Sequence, residues 1–149
     1  MGLENALFES LPDVLTVRLD AVVNWDATHI VCHSGQHRAP DNPLKNCQHL
    51  SSIHGIEFAA QAMAVHRGLV AGEAPTPQFG LLLSVRDCRF LTTRLDDIAG
   101  VLSIKAVVLG SSGNTQTYHF EVDAGARRLL EGRASVMLQP ARLMLSALG

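Results

Sequence analysis

The sequence predicts an α+β domain in which an antiparallel sheet wraps around one central helix. Residues 52–67 are apolar nearly all round at helical length, which is typical of a buried helix. Beyond residue 79 the apolar period changes from helical to twofold, and short glycine turns join the alternating segments. That pattern indicates antiparallel hairpins with one buried face, which needs a helix or a second sheet to cover it.

Composition limits the possible functions. The chain has 149 residues, 47% hydrophobic and 17% charged, so we expect residues 1–149 to form a single domain with a full core. A net charge of −2 argues against nucleic-acid binding. No stretch is apolar for long enough to span a bilayer, residues 1–6 lack the features of a signal peptide, and the 3 cysteines have no paired spacing. We therefore expect no membrane association and a reducing cytoplasm.

The first half predicts two strands, at residues 14–25 and 28–32, joined by a turn at 24–27. Residues 34–48 follow as a loop because they are rich in Gly, Pro, Asp and Asn. Loops of that length in a compact domain are often functional. The second half predicts strands at 79–88, 102–108, 118–123 and 130–138, with turns at 110–114 and 124–125. Pro140 ends the last strand, and residues 141–149 predict a short helix.

The central helix carries an acidic residue that its pattern does not explain. Ser51 or Ser52 can cap its start, and Gly68 is predicted to close it in the left-handed conformation. Between residues 53 and 65 the only formally charged residue is Glu57. Burying an unpaired carboxylate is costly, so a buried Glu57 indicates a residue kept for chemistry.

Three segments carry a resemblance to a known family. Residues 55–62, Gly-Ile-Glu-Phe-Ala-Ala-Gln-Ala, resemble the Glu-Ala-Met-Ala-Gln segment in the central helix of the 3-hydroxyacyl-acyl-carrier-protein dehydratases, which have the hot-dog fold. The similarity extends to residues 37–44 before the helix and 79–87 after it. In that wider pattern the chain looks most like the dehydratase-like proteins of aryl-polyene-type clusters.

The resemblance implies dehydration of a 3-hydroxyacyl thioester carried by acyl carrier protein or coenzyme A. His37 would be the base that takes a proton from C2, and Glu57 the acid that protonates the departing C3 hydroxyl. Ser52, Gly55 and Gln61 would bind substrate, with a backbone N–H at the helix start polarising the thioester carbonyl. In that family the base and the acid typically meet across the interface of a homodimer. We expect a homodimer or a larger assembly here, with no metal and no cofactor.

One spacing departs from the family pattern. His37 lies farther from Glu57 along the chain than the base does in the fatty-acid enzymes, whose spacing would put the base near Asn42. Asn42 cannot act as a base, so residues 45–50 would have to loop out to keep the geometry.

Elementary chemistry agrees with these roles. Dehydration needs a base for a weakly acidic C2 proton, an acid that holds its proton near neutral pH, and positive electrostatics at the carbonyl oxygen. Apolar burial favours the protonated form of a carboxyl group, and free N–H groups at a helix start supply the electrostatics. Ordinary structural roles stay open: Glu57 paired with His54 or a sheet residue, His37 a polar loop residue, and Gln61 a hydrogen-bonding partner.

Other functions remain as alternatives. A hot-dog thioesterase would use the same helix acid to release a free acid, and a non-catalytic module would bind an acyl group or carrier protein without turnover. Arg86 and Arg89 would either meet an acidic carrier protein or form a solvated strand face. A zinc site is a further hypothesis, although no recognised spacing supports it; its ligand types are Cys32, His33, His37, Cys47 and His49.

Overall fold

The computed structural model describes residues 19–42, 45–46, 49–72 and 78–140, and at 78–81 and 138–140 it describes the backbone alone. The predicted helix at 141–149 and the first residues of the strand predicted from 14 lie outside these ranges. The elements are β1 (Ala21–Trp25), β2 (His29–Ser34), a 3-10 turn (Gln36–Arg38), a second 3-10 turn (Ser52–His54), α1 (Gly55–Ala71), β3 (Gln78–Phe90), β4 (Leu102–Ser112), β5 (Thr115–Ala124) and β6 (Arg127–Pro140).

The six strands form one antiparallel sheet in the order β1-β2-β4-β5-β6-β3. The predicted order of elements is confirmed, and β2 to β6 run longer than predicted. The first strand is shorter at its start, because the described residues 19–20 lie outside β1. The last strand ends at Pro140, as predicted. Because β3 follows the helix and returns to the far side of β6, the sheet of the described chain has two edges, β1 and β3.

The core lies between α1 and the inner face of the sheet. Most of the helix is buried, including Phe58, Met63 and Val65. Alternate strand residues point at it from the sheet: Ile30, Cys32, Ile104, Ala106, Tyr118, Phe120, Val122, Leu130, Ala134 and Val136. The twofold alternation of the sequence therefore identified the inward face correctly.

Both ends of the helix differ from the prediction. Ser51 caps the preceding 3-10 turn, accepting the Ile53 N–H at 3.3 Å, and α1 proper begins only at Gly55. At the other end the helix runs past Gly68 to Ala71, and Gly72 is the left-handed closing residue, with φ of 65°. The prediction of Gly68 as the cap was wrong because Gly68 and Leu69 are both buried, so packing continues the helix through the glycine.

A buried histidine ties α1 to the sheet. His66 Nε2 donates to the carbonyl oxygen of Asp26 at 2.8 Å, and the Tyr118 hydroxyl donates to His66 Nδ1 at 2.7 Å. A carbonyl can only accept, so Nε2 carries a proton. Burial lowers the pKa of His66, which favours the neutral ring.

Tyr118→Phe is expected to lower the free energy of unfolding by about 1–3 kcal/mol, since it leaves a buried nitrogen of His66 without a donor. Urea denaturation measures the change. Thr28→Val is the control, because it removes an exposed hydroxyl hydrogen bond to Asp26 and is expected to change stability by less than about 0.5 kcal/mol. Equal effects in the two variants would contradict the role given to the Tyr118–His66 pair.

Candidate active site

The turn that carries His37 is held by side chains from both of its flanks. The Asp20 carboxylate accepts the Gly35 N–H at 2.6 Å, and the Asn42 side-chain amide donates to the Gln36 carbonyl at 2.7 Å. This part of the predicted loop therefore has a defined conformation. Asn42, where family spacing would put the base, instead helps to fix the turn that carries His37.

His37 itself is fully buried and has one nitrogen bonded and one free. Its Nε2 lies 2.9 Å from the carbonyl oxygen of Ile98, which can only accept, so Nε2 carries the proton. Its Nδ1 is buried and has no hydrogen-bond partner among the described residues. Burial lowers the pKa of His37. A neutral ring with an unused lone pair on Nδ1 is the state that a general base requires.

The entrance to α1 is paired with the segment that follows β3. The Ser52 N–H donates to the Thr93 carbonyl at 3.0 Å, and the Leu95 N–H donates to the Leu50 carbonyl at 2.8 Å. The Asp96 carboxylate accepts the Leu50 N–H at 2.8 Å. A side-chain hydrogen bond from Arg94 lowers the pKa of Asp96, which keeps that carboxylate charged.

Residues 93–98 therefore hold two parts of the candidate site at once. Thr93, Leu95 and Asp96 fix the start of the helix, and the carbonyl of Ile98 fixes the ring of His37. Sequence reasoning missed this segment because its contribution is mostly backbone hydrogen bonding, which leaves no residue pattern.

The three predicted substrate-binding residues are all buried. Ser52 and Gln61 are 5% and 4% exposed, and the Gln61 Oε1 has no hydrogen-bond partner among the described residues. Gly55 faces Leu130, whose Cδ2 would lie 2.6 Å from an added Cβ. The space beside Gly55, expected to admit a thioester, is thus occupied by Leu130 in the lone chain.

The side chain of Glu57 is exposed, so the prediction that it is buried was wrong. None of the hydrogen bonds or ion pairs in the described part of the chain involves it, so a pairing with His54 is not found either. The physical reason is that the described chain leaves the first turn of α1 partly uncovered, whereas residues 58–66 are all buried. Ile53, 55% exposed, and Ile56, half-buried, also lie near this uncovered start of the helix.

Two clefts open beside the helix start. One of about 590 Å³ lies between Ser51–Ile53 and residues 90–93. The other, of about 430 Å³, includes His49, His54 and Arg94. Neither of these two clefts is lined by His37 or Glu57.

The described residues contain no group of three or more His, Cys, Asp or Glu side chains placed to hold a metal ion; Cys47, one of the ligand types considered, lies outside them. Within the same residues, α1 and the 3-10 turns are too short or too polar to cross a membrane.

We expect the His37 imidazole to stay neutral, with its proton on Nε2, until the pH falls below the ordinary histidine value of 6.5, because burial lowers its pKa. Nitrogen-15 NMR of the histidine rings during a pH titration measures both the tautomer and the midpoint. The ring signal that is missing from the spectrum of the His37→Gln variant is assigned to His37. A midpoint at or above 6.5, or a proton on Nδ1, would contradict the assignment.

Comparison with known proteins places the chain in a family. Residues 13–146 match the model of the ApeP-like family, which is described as ApeP dehydratase. No curated protein matches the sequence.

Solved structures show the same fold. The dehydratase heterocomplex ApeI:P from Xenorhabdus doucetiae matches with a TM-score of 0.72 at 24% identity, covering 89% of this chain and 90% of that one. A hypothetical thioesterase from Streptococcus pneumoniae, solved with coenzyme A, matches at 0.59 and 13%, covering 93% and 98%. Thioesterase HI1161 from Haemophilus influenzae matches at 0.54 and 10%, covering 83% and 78%. The predicted hot-dog fold is confirmed.

Proposed function

The chain belongs to the ApeP-like dehydratase family, and from this membership and the geometry of the site we propose that it removes water from a 3-hydroxyacyl thioester to give the 2-enoyl thioester. The observation that carries the proposal is the free, buried Nδ1 of a neutral His37. Buried polar atoms are nearly always hydrogen-bonded, and an orphaned one that is also a competent base is best explained by a substrate proton.

The proposed reaction uses two side chains of this sequence. His37 Nδ1 takes the C2 proton, and the electron pair of that C–H bond forms the double bond between C2 and C3. The C3–O bond breaks as Glu57 gives its proton to the departing hydroxyl, which leaves as water. The proton left on His37 returns to Glu57 before the next turnover.

The helix start is proposed to stabilise the charge that develops on the thioester carbonyl oxygen. The partial positive charge of the helix dipole at the start of α1 would supply this stabilisation. In the lone chain the N–H groups of residues 52–54 already donate, to the Thr93 carbonyl and to Ser51. Ser52 and Gly55 would lie against the thioester once Leu130, which fills the space beside Gly55 in the lone chain, moves aside. The Gln61 Oε1, buried and unpartnered among the described residues, would accept a hydrogen bond from the C3 hydroxyl of the substrate or from protonated Glu57.

The proposal needs a second chain. In the lone chain the Glu57 side chain is exposed to water. The sheet ends at β3, a strand of 13 residues whose outer edge has no partner among the described residues. We propose a homodimer that covers the start of α1, so that Glu57 of one chain is taken out of water and faces His37 of the other.

The acyl group would be carried by acyl carrier protein or coenzyme A, in the cytoplasm. Of the structures that share this fold, one was solved with coenzyme A and another is a heterocomplex of dehydratases. The partner that covers the helix start could therefore be a different chain and not a second copy, and the experiment below distinguishes the two.

His37→Gln and Glu57→Gln should each lower the rate of dehydration by about 10²–10⁴-fold, the usual contribution of a positioned base or acid. If each site takes one residue from each protomer, mixing the two inactive variants regenerates intact sites. Random exchange would restore about a quarter of the wild-type rate, since half of the dimers are mixed and each mixed dimer has one intact site. Glu121→Gln, on the far face of the sheet, is the control and should keep full activity.

Mass spectrometry of the product and light scattering complete the test. Loss of water with restored activity on mixing supports the proposal. Release of a free acid would replace it with the thioesterase alternative. Thioester binding without turnover would replace it with a binding module, and turnover that needs a second, different chain would replace the homodimer with a heterocomplex. Wild-type rates in both glutamine variants would refute the mechanism.

A further inference from the structure

The outer face of the sheet, turned away from α1, carries a cavity of about 270 Å³ where β3, β5 and β6 lie side by side. Its lining is polar and consists of Ser84, Arg86, Thr117, Arg133 and Ser135 with the backbone at Ala134. We refer to it as the outer-face cavity. The register explains the grouping: Ser84 pairs with Ser135, Arg86 with Arg133, and Thr117 with Ser135.

The two arginines of the outer-face cavity are directly opposed across neighbouring strands. Like charges in that arrangement repel and destabilise a sheet. Arg133 Nε lies 3.8 Å from a carboxylate oxygen of Asp87, whose side chain is largely exposed. Arg86 takes part in none of the ion pairs found in the described part of the chain. His119 lies opposite Arg133 on its other side, and its Nε2 lies 3.5 Å from a carboxylate oxygen of Glu121.

The next row of side chains on the same face contains a second pair of like charges, and this pair is acidic. Glu121 and Glu131 are also directly opposed, and Arg128 Nη1 lies 3.2 Å from a carboxylate oxygen of each. Arg128 also bonds Asp123. A cation of the same chain therefore bridges the opposed carboxylates, whereas no carboxylate of the described residues bridges Arg86 and Arg133.

The donor set of the outer-face cavity matches one class of ligand. Guanidinium groups bind phosphate oxygens in a forked, charge-assisted geometry, and hydroxyl groups bond the remaining oxygens. Thr117 Oγ1 and Ser135 Oγ already lie 2.9 Å apart, so these two hydroxyls are oriented together beside Arg133. A bulge between Arg86 and Arg89, with Asp87 at φ of 53°, changes the direction of β3 at this point.

We propose that the outer-face cavity is a binding site for a phosphate group. The site is independent of the proposed dehydration, because the sheet separates it from α1 and from the residues assigned to that reaction. The cavity has room for a phosphate and its first waters, so any larger part of the ligand would extend into solvent. The phosphate is either free or part of a nucleotide, such as the 3′-phosphate of coenzyme A.

The test is a titration of the whole chain with inorganic phosphate at low ionic strength, followed by the backbone amide NMR signals of residues 84, 117 and 133–135. We expect saturable shifts at these positions. Arg86→Gln and Arg133→Gln should each weaken binding by about tenfold or more, and Ser135→Ala by less, because only the first two remove a charge-assisted contact.

Arg89→Gln is the matched control, since it removes the same charge from the same strand outside the outer-face cavity, where Arg89 lies near Glu131. It should leave phosphate binding unchanged within about twofold, because it removes no contact to the ligand. Thermal unfolding without phosphate checks that the variants are folded. Arg86→Gln should not lower the unfolding temperature, because it removes the repulsion between Arg86 and Arg133.

Coenzyme A and its form without the 3′-phosphate separate the two sources. If coenzyme A binds more tightly than inorganic phosphate, and the form without the 3′-phosphate does not, the site is assigned to a nucleotide. If coenzyme A binds equally or more weakly, the site is assigned to free phosphate. Unsaturable shifts, or an equal loss of binding in Arg89→Gln and Arg133→Gln, would overturn the proposal.

Discussion

The geometry of the candidate site depends on a short run of hydrogen bonds made by residues 93–98. These residues hold the backbone of Leu50 and Ser52 at the entrance to the central helix, and the same segment offers the Ile98 carbonyl to His37. These bonds connect the His37 turn, which Asp20 and Asn42 also hold, to the start of the helix.

The Ile98 carbonyl also determines which nitrogen of His37 is available. By accepting from Nε2 it fixes the tautomer and leaves the lone pair on Nδ1, in an interior that disfavours the charged ring. Gln61 presents a second buried atom without a described partner, one helical turn after Glu57. Two such atoms, an exposed carboxylate and an open sheet edge are the observations on which the proposed two-chain site rests.

The sequence predicted the fold well because twofold and helical periodicities report directly on which face is buried. It predicted the helix ends less well: Gly68 has the right conformational preference for a cap, but the burial of Leu69 outweighs it and Gly72 takes that role. The predicted burial of Glu57 was wrong for a related reason, since apolar composition does not show which turn of a helix the rest of the chain leaves uncovered. The opposed pair of Arg86 and Arg133 depends on strand register, which one sequence does not reveal.

The most direct test of the proposed two-chain site is a crystal structure of the assembled Glu57→Gln protein with a 3-hydroxyacyl thioester bound. We expect the C3 hydroxyl within hydrogen-bonding distance of the residue-57 side chain of one protomer and C2 beside His37 Nδ1 of the other. A structure in which residue 57 still faces solvent and the thioester lies away from His37 would contradict it.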